Sequence, residues 1–442
     1  MRYLICGCLL FSLSFLLSFS PSFSAEAAES LDTIIIDTGY DKQTKIAVVP
    51  FARPQELERK DNISNIVSFD LARSGQFSPL EIENMLSIPH LPKEVSFRDW
   101  RILGMDYLLI GRAAFGEGGR IAVTYHLYDV PGEREISSET IVTSVDKWRD
   151  ASHKISDDVF QTITGIRGAF STKIMYVLAQ NIGTSYAHFK LEVADVDGER
   201  VKTLFESSEP LLSASWSPDG RRVAYSSFEG GRPSIIIQEI ATGARRKLTQ
   251  FKGINSAPAF SPDGREIALV LSRDGNTEIY VMNLATERLR RVTRHHAIDT
   301  EPSWTPEGNL IFTSDRGGKP QIYKKDLSTG EIERLTWQGD YNARARLLPD
   351  GKHMVYVHRN NGVFHIAWMD IARDDVRVLT RTSLDESPSL APNGTMLIYA
   401  TQDNGRGILA AVSTDGRVKY RLPSSTGDVR EPAWSPYLEP LK

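Results

Sequence analysis

One short turn motif returns six times at nearly fixed intervals in the second half of the chain, and no other feature restricts the fold so tightly. It reads Ser215-Trp216-Ser217-Pro218-Asp219-Gly220, Ala259-Phe260-Ser261-Pro262-Asp263-Gly264 and Ser303-Trp304-Thr305-Pro306-Glu307-Gly308. Weaker copies follow at Arg346-Leu347-Leu348-Pro349-Asp350-Gly351, Ser389-Leu390-Ala391-Pro392-Asn393-Gly394 and Ala433-Trp434-Ser435-Pro436. The prolines step by 44, 44, 43, 43 and 44 residues. Proline presets φ at the first corner of a reverse turn, Asp bonds the local backbone, and Gly takes the positive φ that closes a hairpin. The motif is therefore a turn joining two strands.

Each unit repeats the same strand signals. An apolar run follows the turn (Val223-Ala224-Tyr225, Ile267-Ala268-Leu269-Val270), then a second run (Ile235-Ile236-Ile237, Ile279-Tyr280-Val281), then a short one ending in Leu-Thr or Val-Thr (Leu248-Thr249, Val292-Thr293). With the strand that carries the Trp or Phe, each unit has four strands, and a period in the low forties with four short strands marks a β-propeller blade. The runs are too continuously apolar for a sheet with one wet face, as expected of blades packed on both sides. The large residue two before each proline is the expected wedge between blades. Six markers within residues 172–442 predict six blades. The first unit, at Lys173-Ile174-Met175-Tyr176-Val177, lacks a preceding Trp-Ser-Pro strand, and the last marker has no blade after it. Pairing of residues 431–435 with 173–177 would close the ring and remove its open edges.

Residues 28–165 show no repeat and read as a small α/β domain. Lys45-Ile46-Ala47-Val48-Val49, Tyr107-Leu108-Leu109-Ile110-Gly111 and Ile121-Ala122-Val123-Thr124-Tyr125 are strand-like. Asn62 to Ala72 and Trp148 to Thr164 carry helical spacing, with Gly75 as a helix stop and a brief linker near 165–171. The predicted fold class is thus two-domain, an α/β domain followed by an all-β six-bladed propeller closed by the C-terminal strand.

Residues 1–27 have the layout of a cleaved signal peptide: Arg2, an apolar stretch from Tyr3 to Phe19, then Ala25, Ala27 and Ala28. Cleavage before Ala28 is expected, with a cut before Ala25 as the alternative; an uncleaved anchor or a lipidated cysteine fits less well. Both cysteines, Cys6 and Cys8, fall in this segment, so the mature chain is expected to have no disulfide, thiolate nucleophile or Cys-ligated zinc. Of the 442 residues, 41% are apolar and 24% charged, which argues against general disorder and a polytopic membrane protein. A net charge of -4 argues against a protein that coats nucleic acid, so no nucleic-acid partner is expected.

The sequence carries no catalytic constellation. The sequence holds no Gly-x-Ser-x-Gly elbow, and no length remains after the ring for a hydrolase domain. His295-His296 and the pair His353 and His358 lack metal-ligand spacing. Asn62-Ile63-Ser64 and Asn393-Gly394-Thr395 match a glycosylation pattern too common to weigh. No catalytic residue, cofactor or metal is therefore assigned, and the chain is read as a non-enzyme.

Several segments resemble the TolB family of the Tol-Pal envelope system: Ile46-Ala47-Val48-Val49-Pro50-Phe51, Asp70-Leu71-Ala72-Arg73-Ser74-Gly75-Gln76-Phe77, Leu127-Tyr128-Asp129-Val130, Ala257-Pro258-Ala259-Phe260-Ser261-Pro262-Asp263-Gly264 and Pro432-Ala433-Trp434-Ser435-Pro436-Tyr437-Leu438. The resemblance covers nearly the whole mature chain. It implies a periplasmic adaptor that binds the peptidoglycan-associated lipoprotein Pal at the propeller mouth and TolA through the mature N-terminus, about Ala28–Thr38. It further implies peripheral association with the outer membrane through Pal, and support of outer-membrane integrity and constriction at division. The Pal surface would lie on loops between one blade's last strand and the next blade's first, at Asn255, Ala257, Asp299, Thr300, Asn342, Asp385, Glu386 and Arg430. Ala257 and Thr300 match family contact positions, whereas Ile254 replaces a familiar histidine. Without the family, the same loops still converge on one funnel, although any single Asp there could equally be satisfying backbone groups. The alternative function is a propeller enzyme or carbohydrate-binding protein acting on a periplasmic glycan or metabolite.

Overall fold

The computed structural model describes residues 35–36, 43–57, 61–382, 384–422 and 427–438. The export segment 1–27 and all of Ala28–Thr38 except Ile35 and Ile36 lie outside the described residues. No helix among the described residues is long and apolar enough to cross a membrane.

The N-terminal domain is one five-stranded sheet ordered Phe77–Pro79, Thr44–Val48, Tyr107–Phe115, Arg120–Asp129, Arg134–Ser144. Its first two pairings are parallel and the rest antiparallel. Strand alternation divides the apolar residues between two faces. Ile46 and Val48 join a cluster with Val67 and Leu71 of helix Ile63–Arg73 and Ile155 and Val159 of helix Trp148–Thr164. Ala47 and Val49 turn the other way, to Trp100 of the short helix Phe97–Ile102. Asn62 caps the first long helix, its Oδ1 accepting from Ser64 N at 3.3 Å, which accounts for this asparagine structurally.

Six antiparallel blades follow, each built on four strands of the repeat, and in five of them those four are consecutive in sequence. The sixth combines Asp428–Trp434 with Lys173–Gln180, His188–Asp195 and Lys202–Ser207. Closure by the C-terminal strand is as expected and longer than expected, with register from Asp428 opposite Ala179 to Trp434 opposite Ile174. The first strand of every blade lies innermost and contacts the first strands of both neighbours, so six strands wall a central channel. The Ser-Pro-Asp-Gly turns join the first strand to the second: Ser217 Oγ accepts from Arg222 N at 2.9 Å, Ser261 Oγ does the same for Glu266 N, and Gly220 and Gly264 both sit at φ +68°. The wedge tryptophans also bond across blades. Trp216 Nε1 donates to Ala433 O at 3.0 Å and Trp304 Nε1 to Ala259 O at 2.8 Å.

The N-terminal domain docks on the face that carries these turns. Asn393, in one of them, donates to Arg167 O at 3.0 Å, and Tyr437 stacks on the Arg167 guanidinium at 3.7 Å. Asp157 accepts from the backbone of Phe170 at 2.6 Å and Ser171 at 3.2 Å, so the linker is pinned from both sides. Gly75 stops its helix with φ +75°, and a Cβ there would lie 1.9 Å from Val418 Cγ2 of the propeller. Gly75→Ala is accordingly expected to lower stability by about 1–3 kcal/mol, read from the urea midpoint, through both clash and φ. Ile35–Ile36 pairs antiparallel with Val418 and Lys419, adding a fifth strand to that blade.

Candidate functional site

With one face covered by the N-terminal domain, the opposite face is the open end of the channel, and the channel wall there is irregular in a regular way. Every innermost strand carries a β-bulge against the second strand, between Leu212 and Ser215, Ser256 and Ala259, Thr300 and Ser303, Ala343 and Arg346, Glu386 and Ser389, and Arg430 and Ala433. Within each bulge one non-glycine residue is left-handed: Ser213, Ala257, Glu301, Arg344, Ser387 and Glu431, at φ between +48° and +56°. Six such residues at one level of a ring is a costly arrangement, and bulges re-aim side chains. Here three of the six are charged and meet. Arg344 Nε bonds Glu301 Oε1 at 2.8 Å, Arg344 also pairs with Glu431 at 3.2 Å and bonds Ser387, and Thr313 Oγ1 donates to Glu301 Oε2 at 2.9 Å. Burial disfavours the Arg344 charge, but Glu431 and Glu301 outweigh it and hold the guanidinium protonated. Burial raises the Glu386 carboxyl despite the neighbouring Arg344.

The eight residues expected at the mouth divide into two groups. Seven of them lie on the innermost strands themselves, and only Asp385 lies in a connecting loop, so the expected placement in loops is corrected: the strands reach up to the rim. Asn255, Asp299, Asn342 and Asp385 are each 0% exposed. Asn255 closes its own loop through Phe251 N and O at 2.9 and 2.8 Å. Asp299 holds Arg316 at 2.7 Å. Asn342 spans Gln321 Oε1, Gln338 O and His358 Nδ1 at 2.7 to 2.8 Å. Asp385 takes hydrogen bonds from Thr380, Thr382 and, at 2.7 Å, Thr401, and burial raises its carboxyl. These four form a polar collar that fixes the connections beneath the rim. Ala257, Thr300, Glu386 and Arg430 remain half-buried at the channel, as does Ile254 just before it.

The sequence reading missed two exposed aromatics on the open face. Trp337, 64% exposed, lies in the connection between Ile332–Arg334 and Asn342–Leu347, with Arg334 stacked on it at 4.4 Å. Tyr186, 79% exposed, tops the hairpin between Lys173–Gln180 and His188–Asp195. Trp337 could have been flagged, since it stands outside both the wedge position of Trp216, Trp304 and Trp434 and the strand run that holds Trp368. His295 and His296 lie in a loop rather than a strand, and their rings stack at 4.2 Å.

A second polar cluster lies at the joint between domains. His153 Nδ1 contacts Asp70 Oδ2 at 2.8 Å, and its Nε2 faces Asp195 and Asp197 at 3.6 and 3.7 Å. Asp70 also pairs with Arg73 at 2.6 Å, Asp195 with Arg200 at 2.7 Å and with Lys173, and Arg149 bridges Asp61 and Asp197. Asp70, His153 and Asp197 are close enough to share a metal ion, but Arg73 and Arg149 already occupy the two carboxylates, so the donor set does not fit one. Burial disfavours the imidazolium, yet Asp70 and Asp195 raise His153 to about 9.

The comparisons with known proteins agree over both domains. Residues 160–438 match the family model described as TolB beta propeller domain, and residues 32–136 the TolB amino-terminal domain. The chain is 49% identical over 423 residues to the Tol-Pal system protein TolB of Pseudomonas aeruginosa, covering 95% of this chain and 98% of that one. The Pseudomonas entomophila protein of the same name is 48% identical over 408 residues, covering 92% and 94%. The crystal structure of TolB from Acinetobacter baumannii superposes with a TM-score of 0.84 at 42% identity, covering 92% of this chain and 99% of that one.

Proposed function

The chain belongs to the TolB family and is a component of the Tol-Pal system, and from that premise we propose that it is a non-catalytic periplasmic adaptor whose propeller mouth binds Pal and whose N-terminal region binds TolA. Through Pal it would associate peripherally with the outer membrane, supporting envelope integrity and constriction at division. The observation that carries this reading is the division of labour between faces. The N-terminal domain occupies the turn face, while the opposite face keeps the collared channel mouth and carries the exposed Trp337 and Tyr186 on its connections. A rigid rim with exposed aromatics around half-buried polar groups is the anatomy of a protein-binding surface, and such aromatics carry a disproportionate share of binding energy. Of the eight residues expected at the mouth, Ala257, Thr300, Glu386 and Arg430 would face the partner, and Asn255, Asp299, Asn342 and Asp385 would hold them in place.

One titration with two arms tests this. A soluble Pal domain is expected to bind the full chain, and Trp337→Ala to weaken it about ten-fold or more. Removing residues 28–38 is expected to abolish TolA binding and leave Pal binding. Failure of Pal to bind the unmodified chain, or turnover of a glycan by the purified protein alone, would replace the adaptor with the enzyme or carbohydrate reading.

A further inference from the structure

The two faces of the propeller differ in charge. Counting residues between strands, the connections on the mouth face carry seven Lys and Arg against six Asp and Glu, and those on the turn face seven against eleven. Many of the mouth-face charges are already spent. Arg316 holds the buried Asp299, Arg273 lies beside Asp274, Lys319 beside Asp340, and Glu229 is paired with Arg245. Asp315 accepts from Ile298 N at 2.8 Å, and Asp385 is enclosed by threonine hydroxyls.

What remains is lopsided. Arg232, Lys252, Arg294 and Arg381 are exposed, and among the described residues none has a carboxylate within 4 Å or a hydrogen-bonding or ring partner. Lys252, Arg294 and Arg381 lie in the connections that lead into three of the innermost strands, where Ile254, Thr300 and Glu386 line the mouth, and Arg232 lies on the same face in the hairpin between the second and third strands of its blade. The sole exposed carboxylate on these connections without a partner among the described residues is that of Glu209. The connections of the mouth face thus carry exposed cations that the carboxylates of that face do not neutralise.

We propose that the mouth selects an acidic protein element, its unpaired Lys252, Arg294 and Arg381 drawing in carboxylates on a protruding segment that then seats against Trp337. The proposal rests on the adaptor reading and specifies the partner's chemistry. Charges on a rim set the encounter rate and its salt dependence more than the final affinity. The readout is therefore the association rate of a soluble Pal domain, measured from about 20 to about 300 mM NaCl, over which the Debye length falls several-fold. The rate is expected to fall about ten-fold or more across that range. Arg294→Glu and Arg381→Glu together should lower it at low salt by a similar factor and flatten the salt response, whereas Glu209→Lys should raise it. These side chains are exposed and unbonded, so an unchanged melting curve confirms that each variant is folded. Pal binding with no salt response, or with rates untouched by the charge reversals, overturns this proposal and leaves the adaptor reading standing. Absence of Pal binding at every salt concentration overturns the adaptor reading, and this one with it.

Discussion

Truncation after residue 427 is expected to abolish the cooperative unfolding transition of the propeller. The strand Asp428–Trp434 supplies the whole inner edge of its blade, paired with Lys173–Gln180. Removing it exposes a long apolar strand, and open edges of that kind pair with other chains. It also removes Val429, Ala433 and Trp434 from the core, takes away the carbonyl that Trp216 Nε1 bonds, and leaves Thr172 without its 2.7 Å bond from Trp434 Nε1. Loss of a single buried Trp costs about 3–5 kcal/mol, and a domain has about 5–15 kcal/mol in total. Trp434→Ala by itself should therefore lower stability by about 3–5 kcal/mol, while the truncation should leave aggregated protein. Calorimetry decides it. A monomeric truncated chain with an unchanged melting temperature and intact Pal capture would mean that the ring is not closed by this strand.

The second large effect is expected at the joint, where His153 is enclosed by charges from every packed element. Its own helix contributes Arg149 and Asp150, helix Ile63–Arg73 contributes Asp70 and Arg73, the turn after His188–Asp195 contributes Asp197 and Arg200, and Lys173, Asp61, Asp195 and Tyr420 complete the shell. Asp157, on the same helix and repelled by Asp70, adds to the five carboxylates, so they outnumber the four arginine and lysine side chains and a protonated His153 supplies a further cation. An imidazole raised to about 9 in the fold, against about 6.5 unfolded, contributes stability that is fully present below about 6.5 and lost as pH rises through about 9. Asp70 and Asp195 are held below the usual carboxylate range: burial opposes this, but His153 and the neighbouring cations outweigh it. Their contribution is present above about 4 and lost as pH falls. His153→Gln should cost about 3–5 kcal/mol near pH 7, because it leaves buried carboxylates without their cation, and should remove the alkaline decline between pH 7 and 10. Asp70→Asn added to it should restore part of the loss. Thermal unfolding measured across pH settles the matter; an alkaline limb identical in both proteins would place the titration elsewhere.

The blades were legible because their causes are local. A Pro-Asp-Gly turn, a run of apolar residues and a wedge aromatic are each dictated within a few residues, and their repetition multiplied the signal. The long helices Ile63–Arg73 and Trp148–Thr164 were legible for the same reason, from apolar spacing and the caps or stops at their ends. Gly75 was read as a helix stop; its second role, admitting Val418 from another domain, has no signal near it in sequence.

The residues expected at the mouth were legible as a recurring set, but not in how they divide between rim and interior. Asn255, Asp299, Asn342 and Asp385 recur at blade spacing, which marks a shared task, but spacing cannot tell a side chain that faces a partner from one that braces a loop. Burial decides that, and all four are bracing. The left-handed bulge at Ser213, Ala257, Glu301, Arg344, Ser387 and Glu431 also recurs at blade spacing, yet the residue types share no chemistry, so nothing in the string announces it.

The amino-acid order alone determined the number of blades, the turns between strands and the need for the tail to seal the ring, because each follows from backbone chemistry and apolar patterning over a few neighbours. Only the tertiary structure decided which polar residues are spent inside, that Arg344 gathers Glu301 and Glu431 across the channel, and that His153 ties two domains together. Those outcomes depend on distances between residues far apart in the chain, where desolvation and Coulomb attraction are set by the assembled fold.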